Sequence, residues 1–501
     1  MDKKLIITIV LSVAILSGWQ LLVSKFYPIE NKVVVTNVPV KAAVITNTSS
    51  IASSSYLPPA VKYKDFLYKN SLFECVFAEE SADIKSVKFT HYKDQIFNLG
   101  NGFLIALPEL NFKKVFIDSE KVVFRHIDNE KEIEKTYLFS NNYSAKLTIR
   151  IKNLTQNKLV LPEVPLIAGE LNFGVNAQEA RYQDVLMVSA GKTAHFNGLK
   201  NLQYNELERL GFRDQYFCVV VEPENKGKTA FTQKIDSKKA GVGINLGKID
   251  LNPGQEYSES LRLYIGPQDL KILNSINKEW SAVVYYGVFD IISQLLLQLL
   301  ELLHNIVRSW GVAIILFSLI IYAVLFPLTH KQMHSMKEMQ ILQPKVAQLR
   351  IANKNNPQKL NKEIMELYKE HKVNPLGGCL PMLLQIPIFF ALYQTLSRSI
   401  VIKGAQFLWI NDLAQPDNLA LFGSHVNILP ILMAAGMFIQ QKITLPTDNS
   451  EMAQQQKMMA WLMPIIFGFA FYKMPAGLVI YWLVNSILTL VYQIKVKKSA
   501  I

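Results

Sequence analysis

Five apolar stretches without a single Asp, Glu, Lys or Arg occupy the second half of the chain: Val312 to Leu328, Leu380 to Leu396, Val426 to Gln441, Met458 to Tyr472 and Ala476 to Ile494. A sixth, Leu5 to Val23, follows the lysines of Met1 to Lys4. About 20 apolar residues cross ~30 Å of hydrocarbon as a helix. In hydrocarbon the backbone must satisfy its own hydrogen bonds, so these stretches predict a polytopic α-helical membrane protein of six spans. Pro387, Pro430 and Pro464 lie inside them, which membrane helices tolerate when neighbours satisfy the freed carbonyls.

Charge orients the spans. Only 19% of the 501 residues are charged and 50% are hydrophobic, which excludes a disordered chain. The formal charge of +13 would suit a nucleic-acid binder or a membrane surface, and its distribution decides between them. Ser24 to His304 carries 33 Lys/Arg against 31 Asp/Glu, whereas the short stretch His330 to Gly378 carries 9 against 4 and the tail adds Lys495, Lys497 and Lys498. The excess positive charge flanks apolar segments, as in cytoplasmic loops, and no specific nucleic-acid partner is expected. An even number of spans then puts both termini in the cytoplasm and the region between the first and second spans outside it.

Residues 1–23 are expected to be an uncleaved transmembrane anchor, a cleaved signal peptide being the alternative weighed. Residues 24–60, rich in Val, Thr, Ser and Pro, form a linker. Residues 61–280 predict a large all-β sandwich: Tyr143, Ala145, Leu147, Ile149 and Ile151 alternate with polar neighbours, and Lys121 to Ile127 and Ile133 to Phe139 bracket an Asp128–Asn129 turn as a hairpin. Residues 281–308 predict an interfacial amphipathic helix, because Asp290, Gln294, Gln298, Glu301, Asn305 and Arg308 make a polar stripe that a spanning helix would avoid. A helix docked on the β domain is the other reading. Residues 309–501 form a five-span core that includes a cytoplasmic helical hairpin over 330–378, with one apolar stripe of Leu342, Val346 and Leu349 and a second of Leu360, Ile364 and Leu367 on either side of Asn353 to Pro357.

Enzymatic signatures are missing from the sequence. It contains no GxSxG, HExxH, Walker A or dinucleotide fingerprint, and His126 and His195 stand isolated. No metal site and no cofactor are expected. Cys75 and Cys218 could pair in an oxidising compartment, but two small buried side chains is the preferred reading. The informative residues are polar groups within the spans, each costly in hydrocarbon unless it faces protein or a wet cavity. Ser318 and Tyr322 share a face of the second span; Gln385 lies inside the third; Tyr481, Asn485 and Thr489 form a line on the last, beside Trp482. Such residues either glue helices together or line a shared polar cavity.

At this point particular strings become informative. Phe326-Pro327-Leu328-Thr329 closes the second span, Leu342-Gln343-Pro344-Lys345 lies in the hairpin, and Asn374-Pro375-Leu376-Gly377-Gly378-Cys379 opens the third span. Gln385-Ile386-Pro387-Ile388-Phe389 lies within that span, and Pro475-Ala476-Gly477-Leu478-Val479-Ile480-Tyr481 opens the last. From about Trp310 to Ile494 the chain resembles the YidC family of membrane protein insertases, and its layout resembles the Gram-negative members with a large periplasmic domain. The resemblance implies a sugar-mutarotase-type sandwich without a catalytic role, and a hydrophilic groove open to cytoplasm and lipid. It also implies an arginine five residues before the Pro of the FPLT-like motif. That position is Tyr322 here, and Arg308 lies about 21 Å away along the helix, so the groove is expected to be polar without being positive.

The resulting expectation is an inner-membrane insertase and folding chaperone, not an enzyme, whose groove is lined by Ser318, Tyr322, Gln385, Tyr481, Trp482 and Asn485. Its expected partners are nascent membrane proteins, the lipid bilayer, the Sec translocon and the ribosome or targeting machinery. The tail after the last span is short, so the long basic tail that some relatives use for ribosome contact is expected to be missing. A polytopic transporter or channel and a membrane-anchored carbohydrate-modifying enzyme are the alternatives. The first lacks an inverted repeat and buried ionisable groups; the second would need acid and base residues converging in the β domain.

Overall fold

The computed structural model describes residues 64–92, 95–174, 180–196, 200–354, 356–371, 373, 380–421, 423–444 and 451–498. The expected anchor (1–23), the linker (24–60) and the Asn374–Cys379 string lie outside these residues. The chain divides into two compact units at Val284/Tyr285.

The first unit is a β-sandwich. One layer is a nine-stranded antiparallel sheet in the order Lys192–Phe196, Asp184–Ser189, Leu207–Arg213, Phe217–Pro223, Glu256–Pro267, Ser144–Asn153, Lys131–Phe139, Lys121–Ile127, Lys113–Ile117. The predicted hairpin is present, with Val123 opposite Thr136 and His126 opposite Ile133. The predicted alternation holds in Ser144–Asn153, where Ala145, Leu147, Ile149 and Ile151 are buried. A four-stranded sheet (Asp65–Lys69, Phe73–Ala78, Asp83–Phe89, Gln95–Gly102) and a five-stranded sheet containing Pro165–Asn172 supply the second layer. They meet where Asn101 donates to Glu170. Aromatic rings fill the space between layers: Tyr68 stacks on Phe139 at 4.6 Å and Phe89 on Phe217 at 4.3 Å. A Cβ on Gly169 would overlap the Phe212 ring, so the layers approach closely there.

One inward position breaks the apolar rule. In Lys131–Phe139 the buried row is Ile133, Lys135, Tyr137 and Phe139. The Lys135 ammonium donates to the carbonyls of Ala82 and Phe103, and Tyr137 Oη donates to Ala82 O at 2.9 Å. Burial pulls the Lys135 pKa down to about 7, against the opposing pull of Asp83. Cys75 and Cys218 are both buried free thiols, as preferred above, and burial raises their pKa. The sandwich is followed by a short helix, α1 (Leu270–Ile276), capped by Asp269 accepting from Lys271 N and Ile272 N.

The second unit is helical: α2 (Asp290–Val307), α3 (Trp310–Ala352), α4 (Pro357–Glu370), α5 (Leu380–Arg398), α6 (Ile428–Thr444), α7 (Glu451–Phe471) and α8 (Ala476–Lys498). Among the described residues, Asp290–Val307, Trp310–Met339 and Ala476–Val496 are long and apolar enough to cross a membrane; Ile428–Ile443 and Ala460–Phe471 are shorter apolar helices. The stripe in α2 is less simple than expected. Its buried face is Ser293, Leu296, Leu297, Leu300 and Leu303, while Ile291, Leu295, Leu302 and Ile306 are exposed beside Gln298 and Asn305.

The second span and the first hairpin helix, expected as separate elements, are one 43-residue helix with Pro327 and Pro344 inside it. Thr329 Oγ1 donates to Leu325 O at 3.2 Å beside the first of these prolines. Helix α4 returns along the end of α3. Asn353 Nδ2 bonds Glu363 at 2.6 Å near the turn, and Lys345 Nζ meets His371 Nε2 at 3.1 Å further from it, the order an antiparallel return requires. Asn356 caps α4 by accepting from Lys359 N, and Pro357 opens it. The hairpin core is Leu342, Val346, Tyr368 and Val373, with Met339, Ile364 and Leu367 packed against it. Leu349 and Leu360 are half-buried and outside that core.

Candidate functional site

Polar side chains in the apolar helices converge where α3, α5 and α8 meet. Tyr481 is fully buried, one turn into α8, and its ring lies 5.9 Å from Phe317 of α3. Gln385 of α5 donates through Nε2 to Tyr481 Oη. Asn485, the next turn of α8, donates to Tyr481 O at 2.8 Å. Tyr322 of α3 reaches across to α8, its hydroxyl donating to Leu488 O at 3.3 Å.

Two of the sequence-selected residues behave differently. Ser318 is fully buried and donates to Ile314 O of its own helix at 2.7 Å, so its hydroxyl is used locally even though it shares a face with Tyr322. Trp482 packs among Phe389, Phe467 and Phe471, with ring centroids 5.4–5.8 Å apart. This aromatic group joins α5, α7 and α8, and Trp482 is apart from the polar line because adjacent helix residues cannot share a face.

The same periodicity extends further than the sequence reading took it. Continuing the Ser318–Tyr322 spacing by fours reaches Phe326 and His330. Phe326 meets Tyr492 of α8 edge-on at 5.1 Å, and His330 Nδ1 is hydrogen-bonded to Tyr492 Oη. The α3–α8 seam is thus polar at intervals from Tyr481 to Tyr492. The amide oxygen of Gln493, in a residue only 7% exposed, has no hydrogen-bond partner among the described residues.

The apolar spans that form the seam, 311–329, 380–397 and 476–494, carry no Asp, Glu, Lys or Arg. A second set of contacts is simple helix glue: Thr395 Oγ1 donates to Ser293 O at 3.1 Å and Ser293 Oγ to Ala391 O at 3.2 Å, fastening α2 to α5. Among the described residues no group of three or more His, Cys, Asp and Glu side chains is placed to hold a metal ion. This seam offers hydrogen-bond donors and acceptors inside an apolar bundle whose spans 311–329, 380–397 and 476–494 hold no Asp, Glu, Lys or Arg.

A family model described as the 60Kd inner membrane protein matches residues 302–501, and one described as the YidC periplasmic domain matches residues 115–299. The membrane protein insertase YidC of Pelobacter propionicus is 31% identical over 552 residues, covering 99% of this chain and 99% of its own. That of Geotalea uraniireducens is 32% identical over 548 residues, covering 100% of this chain and 99% of its own. The crystal structure of an active YidC insertase with its first transmembrane domain resolved covers 86% of this chain and 93% of its own, at 19% identity and a TM-score of 0.41. Relatives matched along nearly their whole length, with one family model on the β region and another on the helices, assign the chain to its group: it belongs to the YidC family of membrane protein insertases, with a β-sandwich of the periplasmic type and a helical inner-membrane unit.

Proposed function

We propose that this insertase receives nascent transmembrane segments from the cytoplasm in a neutral polar groove along the α3–α8 seam, and releases them sideways into the bilayer. The observation that carries this reading is the set of polar contacts joining α3, α5 and α8 within the charge-free stretches 311–329, 380–397 and 476–494. Tyr322, Gln385, Tyr481 and Asn485 would offer hydrogen bonds to the polar flank of a client, with Ser318 and Trp482 shaping the walls. A client's apolar area supplies the driving force, about 25 cal/mol per Å² buried, so no nucleotide is needed. The protein's part is the barrier: an unsatisfied polar group costs several kcal/mol in bare hydrocarbon, and a groove that hydrogen-bonds it lowers that cost.

In this reading the chain has six spans with both termini cytoplasmic, a periplasmic sandwich over 61–280, an interfacial helix over 281–308 and a core over 309–501. The hairpin over 330–378 is cytoplasmic and takes clients from the ribosome, from targeting machinery or from the Sec translocon. The charge excess on this stretch supports the orientation. A photocrosslinker at position 322 or 485 should capture a stalled nascent chain, while one at Val324, which is 69% exposed, should capture lipid. Client crosslinks from 324 alone would place the path elsewhere and leave the seam as helix glue.

A further inference from the structure

The segment between α5 and α6, residues 399–427, folds as a cap over one end of the helical unit. Three of its contacts fix its level. A Cβ on Gly311 would overlap the Phe407 ring, so this ring lies directly on the second residue of α3. Leu413 O accepts from Gly477 N at 3.0 Å and Gln415 O from Ala476 N at 2.8 Å, at the first residues of α8. Asp417, 2% exposed, accepts from Ile428 N at 2.8 Å and Leu429 N at 3.2 Å, at the start of α6. The cap is therefore level with the first turns of three apolar helices, at the end of α3 away from the hairpin.

Its most prominent feature is a tight turn. Phe407 and Ile410 exchange both backbone hydrogen bonds at 2.9 Å, which projects Leu408 and Trp409 outward. Leu408 is 75% exposed and held at φ 52°, a left-handed conformation unusual for leucine. Trp409 as a residue is 37% exposed while its indole N–H points to Asp417 Oδ2 at 3.4 Å. The whole segment has only Lys403, Asp412 and the buried Asp417 as charged residues.

We propose that the Phe407–Ile410 turn is a membrane-interface anchor, with Leu408 and the Trp409 ring seated at the boundary between phospholipid headgroups and acyl chains. The Phe407–Gly311 contact sets the depth, because the apolar run of α3 begins at Val312 and the turn lies beside it. A tryptophan whose indole N–H is satisfied by a buried carboxylate while its apolar body stays partly exposed suits that boundary. The turn lies against Gly311, next to Val312, which is exposed at the start of the apolar run of α3, so lipid is the occupant that adjoins it. The anchor holds the starts of α3, α6 and α8 at one depth.

The test uses the full chain with Leu408→Cys in a Cys379→Ser background, where Cys75 and Cys218 are buried. A nitroxide attached at position 408 is compared with one at exposed Lys226→Cys of the β unit, in phosphatidylethanolamine–phosphatidylglycerol vesicles. An anchored turn inverts the accessibility ratio: the label at 408 collides with oxygen in preference to a water-soluble nickel chelate, and the label at 226 does the reverse. A 408 label as open to nickel as 226, or one shielded from both agents by a protein partner, overturns the proposal. Gln406→Cys, on the same turn, gives a second reading if labelling at 408 disturbs the fold.

Discussion

Tyr322→Phe separates groove from glue because the structure bounds what the hydroxyl is worth to the fold. Its bond to Leu488 O is long, at 3.3 Å, and that carbonyl is also positioned to accept from the α8 backbone one turn on. Interhelical side-chain bonds in membranes average ~0.6 kcal/mol, so the substitution should cost the folded state less than about 1 kcal/mol. The ring stays, and with it the 6.1 Å contact to Phe326. If the hydroxyl instead serves a client's polar flank, losing one hydrogen bond of ~1 kcal/mol in the transition state slows insertion about fivefold. The assay is insertion into proteoliposomes of two clients, one with a polar translocated tail and one uniformly apolar, alongside unfolding in detergent. Only the polar-tailed client should slow. Equal slowing of both clients, or a stability loss above ~2 kcal/mol with unchanged insertion, would refute the groove. Ser318→Ala is the internal control and should be near neutral, since that hydroxyl is spent on Ile314 O.

Replacing Val346 and Tyr368 together by Ser empties the hairpin core and should cost several kcal/mol locally, seen as rapid proteolysis of 330–371 and impaired insertion, whereas Lys354→Ala should change neither. Lys135, held near a pKa of about 7 in the fold against ~10.4 unfolded, binds fewer protons when folded across that window. The share of sandwich stability that Lys135 sets should therefore rise from about pH 7 toward about pH 10, read by pulse proteolysis as the difference between the unaltered chain and Lys135→Met, in which the opposing loss from the two buried thiols above about pH 8.5 cancels; a difference that does not change with pH would assign the slope to other groups. Asp417→Ala strips two α6 amides and the Trp409 indole of their acceptor and should lower thermal stability by ~1–3 kcal/mol, with Asp417→Asn recovering part of it. Cysteine labelling from outside spheroplasts should reach Lys226→Cys and miss Lys354→Cys; the opposite pattern would invert the proposed topology.

Periodicity made much of this molecule legible. Alternation located the strands of the central hairpin and of Ser144–Asn153, because one face of each is buried and the other wet. It could not flag Lys135, whose place in an apolar row depends on carbonyls 53 and 32 residues away in sequence. Spacing by four found Tyr322 and Asn485 and, carried two steps further, would have found His330. The same geometry argued against grouping Trp482 with Tyr481, since neighbours on a helix diverge by about 100°. Which residues join across helices was beyond pattern: Gln385 and Tyr481 are 96 apart in sequence, and Tyr368 and Val373 complete a hairpin core that two stripes only half described.

The unbroken α3 helix makes the membrane part and the hairpin one mechanical member. At 1.5 Å per residue its 43 residues give a rod of ~64 Å, of which the 25 residues beyond Pro327 form an arm of ~38 Å. Proline removes a backbone hydrogen bond, which makes Pro327, like Pro344 further out on the arm, a point where the rod bends more easily. A bend of ~10° there would swing the hairpin end by roughly 6–7 Å, about the width of a helix backbone, while Tyr322, on the other side of the proline, stayed almost still. A load applied to the hairpin is thereby geared down at the seam, so the receiving arm can track a moving chain without pulling the α3–α8 contacts apart.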